Sequence, residues 1–137
     1  MKATGQPFML GRALRLVVAE RLVRRICTEC RVDITGELPS NTFIDIGLKP
    51  EEIGSFRLFG GKGCGSCHGT GYRGRVGLFE VMEISDGIRD FIKAGATAAE
   101  IEKKALEEGL FTLRMSGLEK IKNGLTTIEE VRRETAC

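Results

Sequence analysis

Four of the five cysteines in this 137-residue chain form two Cys-x-x-Cys pairs, and no other feature constrains the fold as strongly. The pairs are Cys27 with Cys30 and Cys64 with Cys67, and residues 31–63 separate them. A two-residue spacer lets both sulfurs of a pair bind one ion, and Zn²⁺ takes four such ligands in a tetrahedron at about 2.3 Å. The sequence therefore predicts one zinc site with these four cysteines as its ligands.

The segment around the second pair, residues 61–71, is rich in glycine. Backbone amides can turn toward sulfur there with little obstruction from side chains. A metal that binds only the folded state would stabilise such a loop, which packing alone would leave loose. The glycines thus support a metal-binding loop.

Other interpretations of the cysteines remain open. A redox pair of thioredoxin type is one, although neither pair opens a helix after a strand in a βαβ unit. Disulfides are another, although the cysteine count is odd and no signal peptide is recognisable. Two further soft ligands are His68 and Cys137. We expect His68 to be a solvated loop residue, because it follows Cys67 directly, and Cys137 to be a free thiol at a frayed end.

Composition and charge argue against several classes of protein. Apolar residues make up 42% of the chain, enough for one domain or two small subdomains. The net charge of +2 is not the basic excess of a dedicated nucleic-acid binder, so no nucleic-acid partner is expected. The longest apolar run near the start, Leu16 to Ala19, is far shorter than the ~20 residues that span a bilayer. No transmembrane segment is expected either.

Periodicity and composition predict an α+β fold. Apolar residues recur at helical spacing over residues 10–26, which predicts one long helix before the first cysteine pair. Proline followed by acids predicts a short helix over 48–53, and residues 56–59 and 72–84 favour strands. A short β-sheet would thus frame the metal in a small zinc-knuckle subdomain.

The chain after residue 85 has the pattern of a bundle of about four short helices. Caps and terminal glycines predict helices that start at Ser85 or Asp86, Thr97, Thr112 and Thr127 and that end near Lys93, Gly109, Lys122 and Thr135, with capping boxes at Thr97 and Thr127. The predicted core of this bundle is Leu110, Leu113, Leu118, Ile121, Leu125, Ile128 and Val131. We therefore expect three segments: an N-terminal helix in 1–26, the tetracysteine subdomain in 27–84 and the helical subdomain in 85–137.

Arginines flank both cysteine pairs. They are Arg21, Arg24, Arg25, Arg73 and Arg75. Four thiolates around Zn²⁺ carry a net charge of −2, which nearby guanidinium groups could offset. A solvated basic face explains the same residues equally well.

No catalytic constellation is recognisable in the sequence. A Gly-x-x-x-x-Gly-Lys-[Ser/Thr] phosphate loop does not occur, so this chain on its own is not expected to hydrolyse nucleotides. The single histidine, His68, lies beside a predicted metal ligand and offers no credible dyad or triad. Four protein ligands leave zinc no open position for water, which makes the predicted zinc structural.

Three stretches of the sequence resemble a known family. Residues 21–30 read Arg-Leu-Val-Arg-Arg-Ile-Cys-x-x-Cys. Residues 63–82 contain Gly-Cys-x-x-Cys-x-Gly-Thr-Gly-Tyr-Arg-Gly-Arg-x-Gly and then Phe-Glu-Val-Met, and residues 113–131 form a third matching stretch. Together they resemble the C-terminal part of the assembly ATPases of bacterial type II secretion and type IV pili. The departures, such as Thr28 in place of a common proline and Ser116 in place of a usual acid, spare the four predicted ligands.

The resemblance implies a piece of a hexameric motor, with the tail of the ATPase core in 1–26. ATP and Mg²⁺ would bind only in the longer protein. Expected partners are the other subunits of the homohexamer and an inner-membrane platform protein, and the expected location is cytoplasmic, peripheral at the inner membrane. The motifs do not separate secretion from pilus assembly.

The alternative is a freestanding zinc-knuckle module. The pattern Cys64-x-x-Cys67-x-Gly69-x-Gly71 is similar to one repeat of the cysteine-rich region of a heat-shock co-chaperone family, and paired knuckles also occur in nucleic-acid zinc ribbons. The first pair lacks the trailing glycines, and the chain lacks a strong basic excess. Both observations favour the motor fragment.

Overall fold

The computed structural model describes residues 7–136, an α+β chain with six helices and four strands. In chain order they are α1 (Pro7–Ala13), β1 (Leu16–Ile26), β2 (Arg31–Asp33), α2 (Ser40–Asp45), β3 (Phe59–Gly61), β4 (Tyr72–Glu83), α3 (Asp86–Lys93), α4 (Ala98–Glu107), α5 (Leu113–Lys122) and α6 (Ile128–Glu134). Short 3₁₀ turns lie at Pro50–Glu52 and Gly65–Cys67. None of the described helices is long and apolar enough to cross a bilayer.

The strands form two small sheets. β1 pairs with β4, and the sheet ends with backbone hydrogen bonds from Ile84 to Arg15 and from Cys27 to Gly71, so the two strands run antiparallel. β2 pairs antiparallel with β3, with Val32 opposite Gly60. Each cysteine pair therefore follows or precedes a strand.

The described chain divides into two compact units. Unit 1 contains the described part of Met1–Ala19 together with Glu80–Thr112, and unit 2 contains Glu20–Phe79 together with the described part of Leu113–Cys137. The core of unit 1 is Ile84, Ile88 and Ala105. The core of unit 2 is larger and consists of Phe43, Ile46, Leu48, Leu58, Ile121, Ile128 and Val131.

The prediction of one long helix over residues 10–26 is wrong beyond its first turn, residues 10–13. α1 ends at Ala13, and Leu16–Ile26 is a strand. The spacing of the apolar residues favours a helix, whereas the β-branched residues, which include Val17, Val18 and Val23, favour a strand. Pairing with β4 along one edge of the segment decided between the two, because the hydrogen bonds of a sheet satisfy backbone groups only in an extended chain.

The helices after residue 85 form where predicted, but not as one bundle. α3 starts after Ser85, whose side chain accepts from the Ile88 amide, and α4 starts at the predicted capping box of Thr97. α3 and α4 belong to unit 1, whereas α5 and α6 belong to unit 2. The predicted core divides in the same way, because Leu110 packs in unit 1 while Ile121 and Val131 pack in unit 2.

The strand predicted over 72–84 is confirmed, and the short helix predicted over 48–53 forms only as the three-residue 3₁₀ turn Pro50–Glu52. The strand predicted over 56–59 is shifted: β3 begins at Phe59 and runs into Gly60 and Gly61. Glycines lower strand propensity, but close approach to the backbone of Gly71 requires a glycine at Gly61.

We predict that Gly117→Ala destabilises unit 2. A Cβ on Gly117 in α5 would lie 2.4 Å from Cγ1 of Val131 in α6, a residue with no exposed surface. Overpacking of this kind costs about 1–3 kcal/mol, which exceeds the gain of about 1 kcal/mol from replacing glycine in a helix. Urea unfolding would measure the loss.

Gly36→Ala is the matched control, because a Cβ there meets no atom within 4 Å. An increase in stability for Gly117→Ala would contradict close packing of α5 on α6.

Candidate metal centre

The four predicted cysteines lie together in unit 2. Their sulfur atoms are all within 4.8 Å of one another. Cys27 Sγ lies 3.8 Å from Cys64 Sγ, Cys30 Sγ lies 3.8 Å from Cys67 Sγ, and the sulfurs of Cys64 and Cys67 are 3.7 Å apart. A tetrahedral ion with Zn–S bonds of about 2.3 Å separates its sulfurs by about 3.8 Å. The cluster therefore has the dimensions of a tetrathiolate zinc site.

These separations exclude disulfides as the geometry of the described thiols, since a disulfide bond is about 2.05 Å long. All four residues are free cysteines, and Cys27 and Cys67 are buried. Four sulfurs in one cluster, with separations of 3.7–3.8 Å and no disulfide bond between them, suit a shared cation better than a redox pair.

Hydrogen bonds from backbone amides favour the ionised form of the Cys67 thiol. The amides of Cys64 and Gly71 each donate to Cys67 Sγ over 3.2 Å. Burial of the Cys67 thiol opposes ionisation, but these two amides and hydrogen bonds from the Cys64 and Cys30 thiols outweigh it and lower its pKa to about 6. Removal from water, together with the neighbouring thiols, raises the pKa of Cys30 to about 12. A cation would allow all four thiols to ionise together.

Three backbone connections bring the two cysteine pairs to one point. The Cys27 amide donates to the Gly71 carbonyl over 2.9 Å, and the Lys62 amide donates to the Cys30 carbonyl over 3.1 Å. The pairing of β2 with β3 continues from Cys30 and aligns Arg31 with Gly61. Each pair is thus held by the strand or turn beside the other pair.

The close approach of two backbones explains the glycines of this loop. A Cβ on Gly61 would lie 2.0 Å from the carbonyl oxygen of Gly71, and a Cβ on Gly71 would lie 2.5 Å from the carbonyl oxygen of Gly61. No larger residue fits at either position. The glycines predicted as metal-loop residues therefore act by allowing these backbones to touch.

A carboxylate bridges the two pairs at the surface. Glu29, inside the first Cys-x-x-Cys pair, accepts a hydrogen bond of 2.5 Å from the Ser66 hydroxyl inside the second. Arg73 Nη1 lies 3.2 Å from the other oxygen of the same carboxylate. Arg73, one of the five flanking arginines, thus forms an ion pair with Glu29 at the surface.

A buried carboxylate anchors the strand that leads into the first pair. Glu130 in α6 has no exposed surface, and its side chain accepts from the Arg24 amide over 2.9 Å and from Arg24 Nη2 over 2.6 Å. Arg133 Nη2 donates to the same carboxylate over 2.9 Å. Burial opposes ionisation, but the two arginines outweigh it and hold the pKa of Glu130 below its ordinary value.

The same stretch of β1 has further bonds to the segment before α6. Thr126 donates to the Arg24 carbonyl over 2.8 Å, and the Ile26 amide donates to the Leu125 carbonyl over 2.9 Å. The amide and the carbonyl of Arg24, together with the Ile26 amide, are thus bonded by residues 125–130. The last residues of β1 before Cys27 therefore have a fixed position.

Tyr72, which follows the second cysteine pair, contacts both Arg24 and the residue that precedes α6. Its hydroxyl lies 3.0 Å from Thr127 Oγ1, and the Arg24 guanidinium lies 4.2 Å from the centre of its ring. A cation over an aromatic face adds stability. Residues next to both cysteine pairs thus contact the start of α6.

The sequence did not reveal this role of Glu130. The pattern Thr127-Ile128-Glu129-Glu130 predicted a capping box, and Thr127 does accept from the Glu130 amide over 3.3 Å. The Glu130 carboxylate, however, binds Arg24 instead of the Thr127 amide. One signal in the sequence was available: Glu130 lies between two apolar residues that are buried, Ile128 and Val131, which indicates that the acid is buried and needs a partner.

His68 is not part of the sulfur cluster. It is exposed and adopts a left-handed conformation with φ 52°, where it ends the turn Gly65–Cys67. Among the other arginines singled out, Arg21 donates to the neighbouring Glu20 carbonyl, and Arg25 and Arg75 are exposed. Cys137 lies outside the described residues.

We predict that Glu130→Gln lowers the free energy of unfolding by about 2 kcal/mol. The amide would place a donor against two arginines and would remove the charge. The cost is below that of a fully buried pair, because the Arg24 and Arg133 side chains are 46% and 56% exposed. Glu129→Gln, an exposed neighbour in the same helix, is the control and is expected to be neutral.

The difference between wild type and Glu130→Gln should depend on pH. Since folding lowers the pKa of Glu130, the unfolded state binds more protons, and the stabilisation is complete above the ordinary pKa of 4.5 and is lost as pH falls below it. Urea unfolding from pH 7 to pH 3 would show the difference shrink. A difference that does not change with pH would contradict an ionised Glu130.

Known proteins match along nearly the whole chain. The family model described as type II/IV secretion system protein matches residues 1–133. The chain is 41% identical over 131 residues to the type IV pilus assembly ATPase PilB of Myxococcus xanthus, covering 96% of this chain and 23% of that protein. It is 42% identical over 130 residues to the PilB of Thermus thermophilus, covering 95% and 14%.

A secretion ATPase is also similar. The type II secretion system ATPase E of Vibrio cholerae is 32% identical over 130 residues, which cover 95% of this chain and 25% of that protein. The chain thus spans a quarter or less of the length of these three relatives. The resemblance drawn from the cysteine pairs and their flanks is confirmed, and the chain belongs to the type II/IV secretion system protein family.

Proposed function

We propose that this chain is the zinc-binding, C-terminal interaction lobe of a hexameric motor ATPase that drives type II secretion or type IV pilus assembly. The observation that carries the proposal is the cluster of four sulfurs, all within 4.8 Å of one another and with three separations of 3.7–3.8 Å, inside a chain that belongs to the secretion family. Cys27, Cys30, Cys64 and Cys67 are its ligands. Zinc supplies a structural cross-link here and no reaction, because four protein ligands leave no position for water or substrate.

The contacts around the cluster support a structural role for the metal. The loop from Gly61 to Gly71 has little apolar surface of its own to bury, whereas β1 is fixed by α6 through Arg24 and Glu130. A metal that joins Cys27 and Cys30 to the glycine-rich loop transfers that rigidity to the loop. The lobe could then transmit motion to a partner without losing it in loop flexibility.

The ATPase activity belongs to the longer protein in this proposal. ATP and Mg²⁺ bind there, since this chain carries no phosphate loop of its own. The lobe contacts neighbouring subunits of the homohexamer and an inner-membrane platform protein, at the cytoplasmic face of the inner membrane. The names of the relatives, which are pilus assembly and secretion ATPases, support this assignment. The family match over residues 1–133 favours it over a freestanding co-chaperone-like or nucleic-acid module.

We predict that the purified chain holds one zinc ion. Elemental analysis would find one equivalent in wild type and in His68→Asn, because His68 is exposed and outside the sulfur cluster. Replacement of Cys64 and Cys67 by serine would abolish binding. Chelation of zinc from wild type is expected to lower the melting temperature by more than about 10 °C, because metal binding is coupled to folding.

Loss of zinc from His68→Asn would contradict the four-cysteine ligand set. Wild-type protein that folds with equal stability after complete chelation would contradict a structural zinc.

We predict that Cys64→Ser with Cys67→Ser, made in the longer protein, impairs secretion or piliation more than nucleotide hydrolysis. The reason is that the proposed nucleotide site lies outside this lobe, so the variant would lose the coupling of hydrolysis to assembly rather than hydrolysis itself. Secretion or pilus counts would be compared with ATPase rates, with His68→Asn as the control. Intact assembly in a zinc-free variant would rule out the proposed role of the lobe.

A further inference from the structure

Three side chains connect the interiors of the two Cys-x-x-Cys turns at the surface of unit 2. The Ser66 hydroxyl donates to Glu29 Oε2 over 2.5 Å, and Arg73 Nη1 lies 3.2 Å from Oε1 of the same carboxylate. In the part of the chain that the structure describes, no other hydrogen bond or ion pair joins residues 28–29 to residues 65–66. We call Glu29, Ser66 and Arg73 the surface bridge.

The backbone bonds between the two turns hold only their ends. They run from the Cys27 amide to the Gly71 carbonyl and from the Lys62 amide to the Cys30 carbonyl. The surface bridge holds the middle, because its hydrogen bond joins the residue just before Cys30 to the residue just before Cys67. The sulfurs of these two cysteines are 3.8 Å apart. The bridge is thus a second connection beside the one that a shared ion would make.

The position of the bridge matters for the way in which an ion would leave the site. An ion held by four thiolates has no open coordination position, so a competing ligand must replace the thiolates one after another. Replacement begins most easily at a sulfur that solvent reaches. Cys30 and Cys64 are partly exposed, and the other two thiols of the cluster are buried. The bridge therefore restrains the segment that carries one of the two accessible sulfurs.

Charge explains why the bridge has three members. Zinc with four thiolates carries a net charge of −2, and a carboxylate close to it adds a further negative charge. The Arg73 guanidinium offsets the charge of Glu29 while the second carboxylate oxygen accepts from Ser66. A hydrogen bond to an ionised carboxylate is stronger than one between neutral groups. The Arg73 and Glu29 side chains are 63% and 56% exposed, so water and salt weaken the ion pair.

We propose that Glu29, Ser66 and Arg73 control how fast zinc leaves the four-cysteine site. Glu29 and Ser66 are positioning residues: they act by keeping Cys30 beside Cys67, and Arg73 holds the carboxylate in place. The proposal rests on the zinc ion of the proposed function. It adds that side chains outside the ligand set determine how long the ion stays bound.

The test is the rate of zinc release from the whole 137-residue chain. Protein loaded with one equivalent of zinc is mixed with an excess of pyridylazoresorcinol, whose absorbance reports the released metal. Glu29→Ala and Ser66→Ala are each expected to release zinc about fivefold faster than wild type, the size of one exposed charge-assisted hydrogen bond. The double variant is expected to release it no faster than Glu29→Ala, because both changes remove the same bond.

Ser55→Ala and Glu51→Ala are the matched controls. Ser55 donates to the Glu52 carbonyl and not to a residue of either cysteine turn, and Glu51 is an exposed acid of the same unit. Both variants are expected to release zinc at the wild-type rate.

Glu29→Gln separates the two contacts of the bridge. The amide oxygen can still accept from Ser66, but the ion pair with Arg73 is lost. Added salt is therefore expected to speed release from wild type and to have less effect on Glu29→Gln, because salt screens only the ion pair. Zinc content and circular dichroism of each variant would show that the site is loaded and the chain is folded.

Three results would overturn the proposal. Release at the wild-type rate from both Glu29→Ala and Ser66→Ala, each with one equivalent of zinc, would show that the bridge does not restrain the ion, and the proposed zinc site would still stand. A double variant whose rate is the product of the two single effects would show that Glu29 and Ser66 act separately. Wild type that binds no zinc would overturn this proposal and the proposed function together.

Discussion

The buried carboxylate of Glu130 is the interaction on which the arrangement of unit 2 depends. It joins α6, near the end of the chain, to Arg24 in β1, and both the amide and the guanidinium of Arg24 bind it. A carboxylate without exposed surface is tolerated only when its charge and its hydrogen-bonding capacity are satisfied. Two arginines and a backbone amide meet that requirement. The pair holds β1 in place three residues before Cys27.

The two cysteine pairs of the candidate metal centre therefore lie on segments that differ in how firmly they are held. The first cysteine pair continues from an anchored strand, whereas the second lies in a loop in which Gly61 and Gly71 touch backbone to backbone. Sulfur atoms 3.7–3.8 Å apart allow a single ion to join the two sides. The bond between Glu29 and Ser66 reinforces the same junction from the surface. This asymmetry supports the proposed role of the ion as a structural cross-link.

Much of the local structure could be predicted because its causes are local. The caps at Ser85 and Thr97 lie within three residues of the amides they bind, so they are readable without a fold. The segment Leu16–Ile26 was not predictable in this way, because its apolar spacing suits a helix and its β-branched residues suit a strand. Only β4, more than 45 residues further along the chain, decides between them.

The sequence by itself determined the donor set of the candidate metal site and the family, because ligand spacing and flanking motifs are properties of short segments. It also determined most helix starts. Tertiary structure alone decided that the helices after residue 85 divide between two units, that Glu130 binds Arg24 rather than its own helix cap, and that Arg73 pairs with Glu29. The reason is physical: these outcomes depend on partners distant in the chain, and such partners meet only when the backbone has folded.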